Sequence, residues 1–174
     1  MTMMKLIGSL CLITACFLYS RCIYAQFKSY VEYLHQLYQY LYMIKGEIAY
    51  TRAPMDEIFQ HMDTRFAEPI QSFNCNLMKQ VETRNETNFQ VIWEKSMELF
   101  LTEFHLKEKH KRLVTEFGQQ LGQSDYETDI GSMKLILERL HSEIQIEEST
   151  MKNKQKLCNY LGIMTGLFIV ILLF

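Results

Sequence analysis

From Leu157 to Phe174 the sequence reads LCNYLGIMTGLFIVILLF, 18 positions without a charge. No other feature constrains the chain as strongly. At 1.5 Å rise per residue such a run covers about 27 Å of helix, enough for a hydrocarbon core, so it reads as a membrane-spanning helix. A second apolar run, Leu6 to Ser20 (LIGSLCLITACFLYS), stands near the other end and continues past Arg21 into CIYA. One basic residue near the end of a span can snorkel to the interface, so a helix can cross there too. The mean hydropathy of −0.09 is an average of these two ends and a polar middle.

The first 25 residues admit three readings. A cleaved leader needs small residues at −3 and −1, and cutting after Ala25 places Ile23 at −3. ITAC, Ile13 to Cys16, has the form of a bacterial lipobox with Cys16 as the lipidated residue. The apolar FLYSRCIYA that follows is helical in character where a lipoprotein has a flexible polar tether. An uncleaved anchor over residues 1–25 is the reading the residues favour. Basic residues then orient the chain: Arg21 and Lys28 follow the first run, and Lys152, Lys154 and Lys156 precede the second. Positive residues flank the cytoplasmic side, which puts the middle of the chain in the cytoplasm and both ends outside. Lys5 opposes this and is outnumbered.

Cysteine usage agrees with a reducing compartment. Cys11, Cys16, Cys22 and Cys158 lie in or beside the apolar runs, only Cys75 lies between them, and no CxxC occurs. The sequon Asn85-Glu-Thr87 would never meet a glycosylating enzyme on a cytoplasmic domain.

Between the runs, residues 26–155 read as helices. Only two prolines and seven glycines occur in 174 residues, and 18 basic residues nearly cancel 20 acidic ones, which gives no footprint for nucleic acid. Apolar residues step by three and four through Phe27, Tyr30, Val31, Leu34, Leu37, Tyr38, Leu41 and Ile48. This first helix ends near AYTRAP, because Pro54 disfavours helix at Ala53 and suits the start of a new one. Comparable stripes predict a second helix from Met55 to Phe66, a third from Pro69 to Glu82 and a fourth from Asn88 to Glu103. A fifth runs from Leu106, with Leu113, Phe117 and Leu121 inward, and a sixth from Ser124 through Ile130, Met133, Leu137, Leu140, Ile144 and Met151. No proline interrupts the chain from Ser124 onward, so the sixth helix can continue into the apolar tail. The expected fold is all-α: a six-helix antiparallel bundle in the cytoplasm, flanked by a transmembrane helix at each end, the second over residues 156–174.

FGQQLGQSDYE, Phe117 to Glu127, resembles a phosphate loop at first sight. Walker and dinucleotide loops need a preceding strand and either Gly-Lys-Ser/Thr or G-x-G-x-x-G, and neither is here. Gly122 instead reads as a helix terminator, and Ser124 with Glu127 as a capping box. The segment is a corner.

Helix lengths place this corner. The stretches Arg21–Tyr50 and Ser124–Lys154 are each about 30 residues, roughly 45 Å of helix, so both corners stand at the same distance from the bilayer. Thr51, Arg52, Asp56, Gln119, Gln120, Gln123 and Asp125 are thereby expected at a polar distal tip, the expected partner site. Up-and-down alternation sends Arg65, Lys107, Lys109, Lys111 and Arg112 to the opposite end. They are expected to join Arg21, Lys28, Lys152, Lys154 and Lys156 in a basic face toward anionic lipid. Read alone, HLKEKHKR is also an ordinary solvated helix face.

Catalytic chemistry finds no footing. His105 and His110 are five apart and share no helix face, His35 and His61 stand alone, and His141 has Glu138 beside it but no third ligand. No nucleophile stands with a base. Trp93 lies in an apolar stripe, as a core anchor does. No cofactor, metal, nucleic acid or small-molecule substrate is expected.

Three pieces, FGQQLGQSD, EIAYTRAP (Glu47 to Pro54) and YLGIMTGLFIVILL, together with KLIG from Lys5 to Gly8, resemble the stage III sporulation protein AB family, over essentially the whole chain and in the same order. LGQSD is the most specific of them. The resemblance implies a membrane protein of an endospore former, made in the mother cell and belonging to a secretion-like channel complex that links mother cell and forespore. It also implies similarity to the inner-membrane platform proteins of type II secretion, whose helical cytoplasmic domains meet a partner ATPase. Partners would be other stage III sporulation channel proteins, that ATPase and anionic lipid. The cysteine-rich LITAC departs from the pattern. Two functions stay open: a non-enzymatic assembly platform, and an exported lipoprotein or ligand-binding sensor domain.

Overall fold

The computed structural model describes residues 2–51, 55–62, 65–66, 68–83, 89–103, 106–121 and 126–173. These form six helices: α1 (Thr2–Thr51), α2 (Met55–Met62), α3 (Ile70–Glu82), α4 (Phe89–Glu103), α5 (Glu108–Gln119) and α6 (Tyr126–Leu173). Among the described residues there is no strand. The protein is all-helical, and its helix count is the one the spacing predicts. Differences are confined to ends. Helix α2 stops at Met62, where the Arg65 N–H donates back to the Met62 carbonyl at 3.2 Å, rather than running to Phe66. Helix α5 begins at Glu108 after an extended Lys107.

Contacts divide the chain into two compact units, residues 35–143 and the combination of residues 1–34 with 144–174. Helices α1 and α6 each contribute to both.

In the terminal unit, Val31, Leu34, Ile144 and Glu147 are buried. The Lys154 ammonium sits 4.1 Å from the centroid of the Phe27 ring and joins α6 to α1. Leu157, Tyr160, Leu161, Met164, Phe168 and Ile171 are each more than half exposed and recur at helical spacing along one side of α6. Among the described residues no helix is long and apolar enough to cross a membrane. Most side chains of the two apolar runs, on which the expectation of spans rests, lie outside the described residues. Helix α1 passes through position 16 and on to Thr51 without a break.

In the central unit the predicted stripes turn inward. Leu37, Tyr40, Leu41, Ile44 and Ile48 of α1 are buried, with Ile58, Phe59 and Met62 of α2, Ile70, Phe73 and Leu77 of α3, and Met133, Ile136, Leu137 and Leu140 of α6. Helix α2 packs on α3, α3 on α4 and α4 on α5, so sequence neighbours are neighbours in space. Trp93 lies fully buried in α4. Phe73 meets it edge-on at 5.9 Å, and Phe59, Phe89 and Phe117 surround it at ring-centroid distances of 6.3 to 6.5 Å. Its Nε1–H donates to the Val114 carbonyl of α5 at 3.3 Å, which satisfies the one polar atom of the ring.

Helix α5 keeps its expected inward side, with Phe117 and Leu121 buried, and widens it. His110, Val114, Phe117 and Gly118 are its buried positions, and Leu113 is only half-buried. Histidine and glycine carry little weight in an apolar pattern, so His110 and Gly118 leave no trace there of the side they share with Phe117 and Leu121.

Asn74 of α3 is buried and fully engaged. Its amide accepts from the Tyr40 hydroxyl at 2.9 Å and donates to the Phe59 carbonyl at 2.9 Å. One side chain thus ties α1, α2 and α3 together.

Candidate interaction surfaces

Of the seven residues expected at a distal tip, the structure describes three in full. Thr51 ends α1, is exposed, and donates from Oγ1 to the Glu47 carbonyl at 2.8 Å. Gln119 ends α5 and is exposed; Gln120 caps it, its N–H reaching the Phe117 carbonyl at 3.1 Å, and Leu121 follows with a bond to Gly118. Arg52, Gln123 and Asp125 lie outside the described residues, as do Gly122 and Ser124 of the corner. Asp56 is in α2, but its side chain lies outside the described residues.

The expected basic face falls into two groups. Arg21, Lys28, Lys152, Lys154 and Lys156 belong to the terminal unit; Lys107, Lys109, Lys111, Arg112 and Arg65 belong to the central one. Several cations already have anions. Lys28 pairs with Glu32 at 3.4 Å, Lys111 with Glu108 at 2.9 Å, and Lys109 with Glu143 of α6 at 2.6 Å. Lys152 and Lys156 are exposed.

Arg65 is misplaced by the up-and-down scheme. Its guanidinium contacts Glu47 at 3.3 Å and the Met43 sulfur at 3.7 Å, so it stands one turn from the Thr51 end of α1, the end assigned to the tip. The reason is length: α2 has eight residues, about 12 Å, and cannot carry the chain back along α1, a helix of 50 residues.

That fold-back creates a surface the sequence reading missed. Between the outer side of α1 and the turn after α2 lies a cleft of about 660 Å³, lined mainly by Tyr38, Tyr42, Met43, Gly46, Arg65 and Phe66. Phe66 closes it from below, edge-on to Tyr40 at 5.4 Å. Tyr38 is held by the His141 ring of α6 at 5.4 Å and by Tyr42 at 6.0 Å. The Lys45 ammonium covers the Tyr42 ring at 4.6 Å. A second line of tyrosines offset from the buried line of α1 was the available signal.

A polar cleft of about 820 Å³ lies between α4 and α5, where Glu94, Glu98, Glu108 and Glu116 face Lys111 and Arg112. Two of its four carboxylates are paired, Glu108 with Lys111 at 2.9 Å and Glu116 with Arg139 at 3.9 Å. Among the described residues no group of three His, Cys, Asp or Glu side chains could hold a metal ion. His110 is buried in the core, and His105 lies outside the described residues.

Comparison with known proteins gives a consistent result. The family model for stage III sporulation protein AB matches residues 5–174. The chain is 26% identical over 141 residues to stage III sporulation protein AB of Bacillus subtilis (strain 168), covering 80% of this chain and 81% of the relative. A solved structure of stage III sporulation protein AB superposes with a TM-score of 0.63 at 22% identity, over 69% of this chain and 94% of the other, a likeness of fold.

Proposed function

The chain belongs to the stage III sporulation protein AB family, and on that premise we propose that it is a non-catalytic membrane platform in endospore formation. In this reading it sits in the mother-cell membrane around the forespore, inside a secretion-like channel complex. Its central helices face the cytoplasm and bind other stage III sporulation channel proteins, the secretion-type ATPase first among them. Both chain ends face outward, and the basic residues beside the spans meet anionic lipid.

One observation carries the proposal. The contact division groups the first 34 residues with those from 144 onward, so the two apolar runs belong to one unit and the aromatic core to another. A paired-helix anchor bearing a separate helical unit is what a platform requires, and lipid accounts for an exposed stripe of Leu157, Tyr160, Met164, Phe168 and Ile171. The unbroken course of α1 through position 16 supports an anchor over a lipidated Cys16, which would start a flexible tether.

Cys75 tests the topology. It is a free, half-buried thiol in α3. In a sporulating host, a variant retaining Cys75 alone should take up a membrane-impermeant maleimide only after permeabilisation. Labelling in intact cells would place the central unit outside and favour the exported lipoprotein or sensor.

A further inference from the structure

Helix α1 has two lines of side chains in its second half. One, with Leu37, Leu41, Ile44 and Ile48, is buried. The other points outward and reads Tyr42, Gly46, Tyr50, four residues apart, with Tyr42 53% exposed and Tyr50 91% exposed. A β-carbon built on Gly46 would meet nothing within 4 Å. Glycine within a helix weakens it, and among the described residues nothing packs closely enough to call for one here. What a missing side chain does provide is room for the backbone of something else.

The surroundings describe that something. Tyrosines one turn to either side frame the gap, and exposed tyrosine is a characteristic anchor of protein interfaces. The adjoining cleft follows α1 from Gln36 to Glu47, about 16 Å or three helical turns, and its apolar lining comes from Tyr38, Met43 and Phe66. Two cations stand along it: Lys45 over Tyr42, and Arg65, whose side chain is 50% exposed. Among the described residues that line it the carboxylate is Glu47, 19% exposed and engaged with Arg65. Among the described residues the edge of the cleft thus carries one more cation than carboxylate.

We propose that this face of α1, centred on Gly46, is the docking site for an amphipathic helix of a partner protein whose apolar stripe is edged by aspartate or glutamate. The inference rests on the reading that the chain works by binding partners, and it names where and by what chemistry. A helix laid into the groove places small or apolar side chains over Gly46 between the two tyrosines, and carboxylates beside Lys45 and Arg65. A second copy of this chain is disfavoured, because pairing the face with itself brings like charges together.

The test uses the full chain, expressed from its own locus in a sporulating host. Gly46→Leu projects into open space and raises helix propensity, so the protein should accumulate at its normal level while spore yield falls at least tenfold. Tyr50→Ser, at a position 91% exposed, should lower spore yield in the same direction without any folding cost. A strain lacking the chain is the reference. If that strain sporulates normally, the platform reading fails; if it does not while Gly46→Leu and Tyr50→Ser match wild type, the docking site is overturned. The partner's chemistry is read by replacing Tyr50 with p-benzoylphenylalanine, irradiating sporulating cells and sequencing the adduct. The expected adduct lies in a helix of another protein with acidic residues flanking apolar ones, and is lost in Lys45→Glu/Arg65→Glu. An adduct to lipid, to a second copy or to a basic segment, or no adduct, refutes the assignment.

Discussion

Gly118 of α5 lies directly against the indole of Trp93 in α4: a β-carbon at position 118 would overlap the Cδ1, Nε1 and Cγ atoms of that ring. One turn earlier the Val114 carbonyl accepts the indole N–H, so the two helices are drawn together by a bond and permitted to approach by a glycine. Gly118→Ala should lower stability by about 1–3 kcal/mol through overpacking, visible as a lower urea midpoint for residues 26–154. Substituting Trp93→Ala as well removes the ring and with it the overlap, so the pair should be less than additive. An unchanged midpoint for Gly118→Ala would show that the helices are set further apart.

The Asn74 junction gives a second expectation. Asn74→Ala leaves the Tyr40 hydroxyl and the Phe59 carbonyl buried without their partner, a cost of about 2–4 kcal/mol. Tyr40→Phe removes only one of the bonds and should cost about 1 kcal/mol. Chemical denaturation of the single and double variants measures the coupling. Strict additivity would mean the two side chains do not share a bond.

Tyr40 also sets an alkaline limit. Burial pushes its phenol well above the ordinary value of 10.0, because the phenolate would lie in the core. Below pH 10 both folded and unfolded forms are protonated and the group has no effect on stability. Above it the unfolded chain releases the proton and the folded chain does not, so stability falls by up to about 1.4 kcal/mol per pH unit until the folded pKa is reached. Tyr40→Phe should flatten that decline between pH 10 and 11.5. A wild-type slope retained in the variant would assign the alkaline loss to other groups.

Much of this architecture is legible in the sequence, for a physical reason. Helices announce themselves through a period of 3.6 residues, and the breaks at Pro54, Pro69 and the FGQQLGQSD corner fall between strong stripes. What escaped reading depends on contacts with no periodic trace. Gly118 looks like part of a corner until Trp93 is seen on top of it. His110 looks like surface until α5 is seen to bury it. Arg65 was sent to the wrong end because α2 was credited with more length than its eight residues supply. The outer face of α1 has no separate periodic signature, because Tyr38 counts toward the inward stripe with Leu37 and Leu41 while Tyr42 and Tyr50 fall outside it.

Ion pairing reshapes the lipid expectation. Lys109 and Lys111 are engaged by Glu143 and Glu108, whereas Lys152 and Lys156 are exposed beside the apolar tail. Neutralising Lys152 and Lys156 to glutamine in residues 26–156 should cost about 1 kcal/mol each in binding to phosphatidylserine vesicles at low salt. The same change at Lys109 and Lys111 should cost less. Equal losses at the two sites, or binding indifferent to salt, would remove the membrane-facing role from the C-terminal lysines.

The polar ends of α1 and α5 carry the remaining expectation. Arg52→Glu combined with Gln119→Ala and Gln123→Ala should leave the melting temperature within about 2 °C of wild type, since surface changes of this kind rarely exceed 0.5 kcal/mol. Spore formation should nevertheless be lost. Normal spores from a stably folded variant would reduce these corners to turns.

Trp93 is the only tryptophan of the chain, and its setting makes it an optical gauge built into the protein. Its neighbours Phe59, Phe73, Phe89 and Phe117 come from α2, α3, α4 and α5, so loosening any one of these helices lets water reach the same ring. Excitation at 295 nm therefore reads the central unit alone, with blue emission when its aromatic cluster is closed and red when it opens. The terminal unit stays dark in that channel. Opening of the central unit is thereby read apart from any change in the terminal one, in one cuvette and with no label attached.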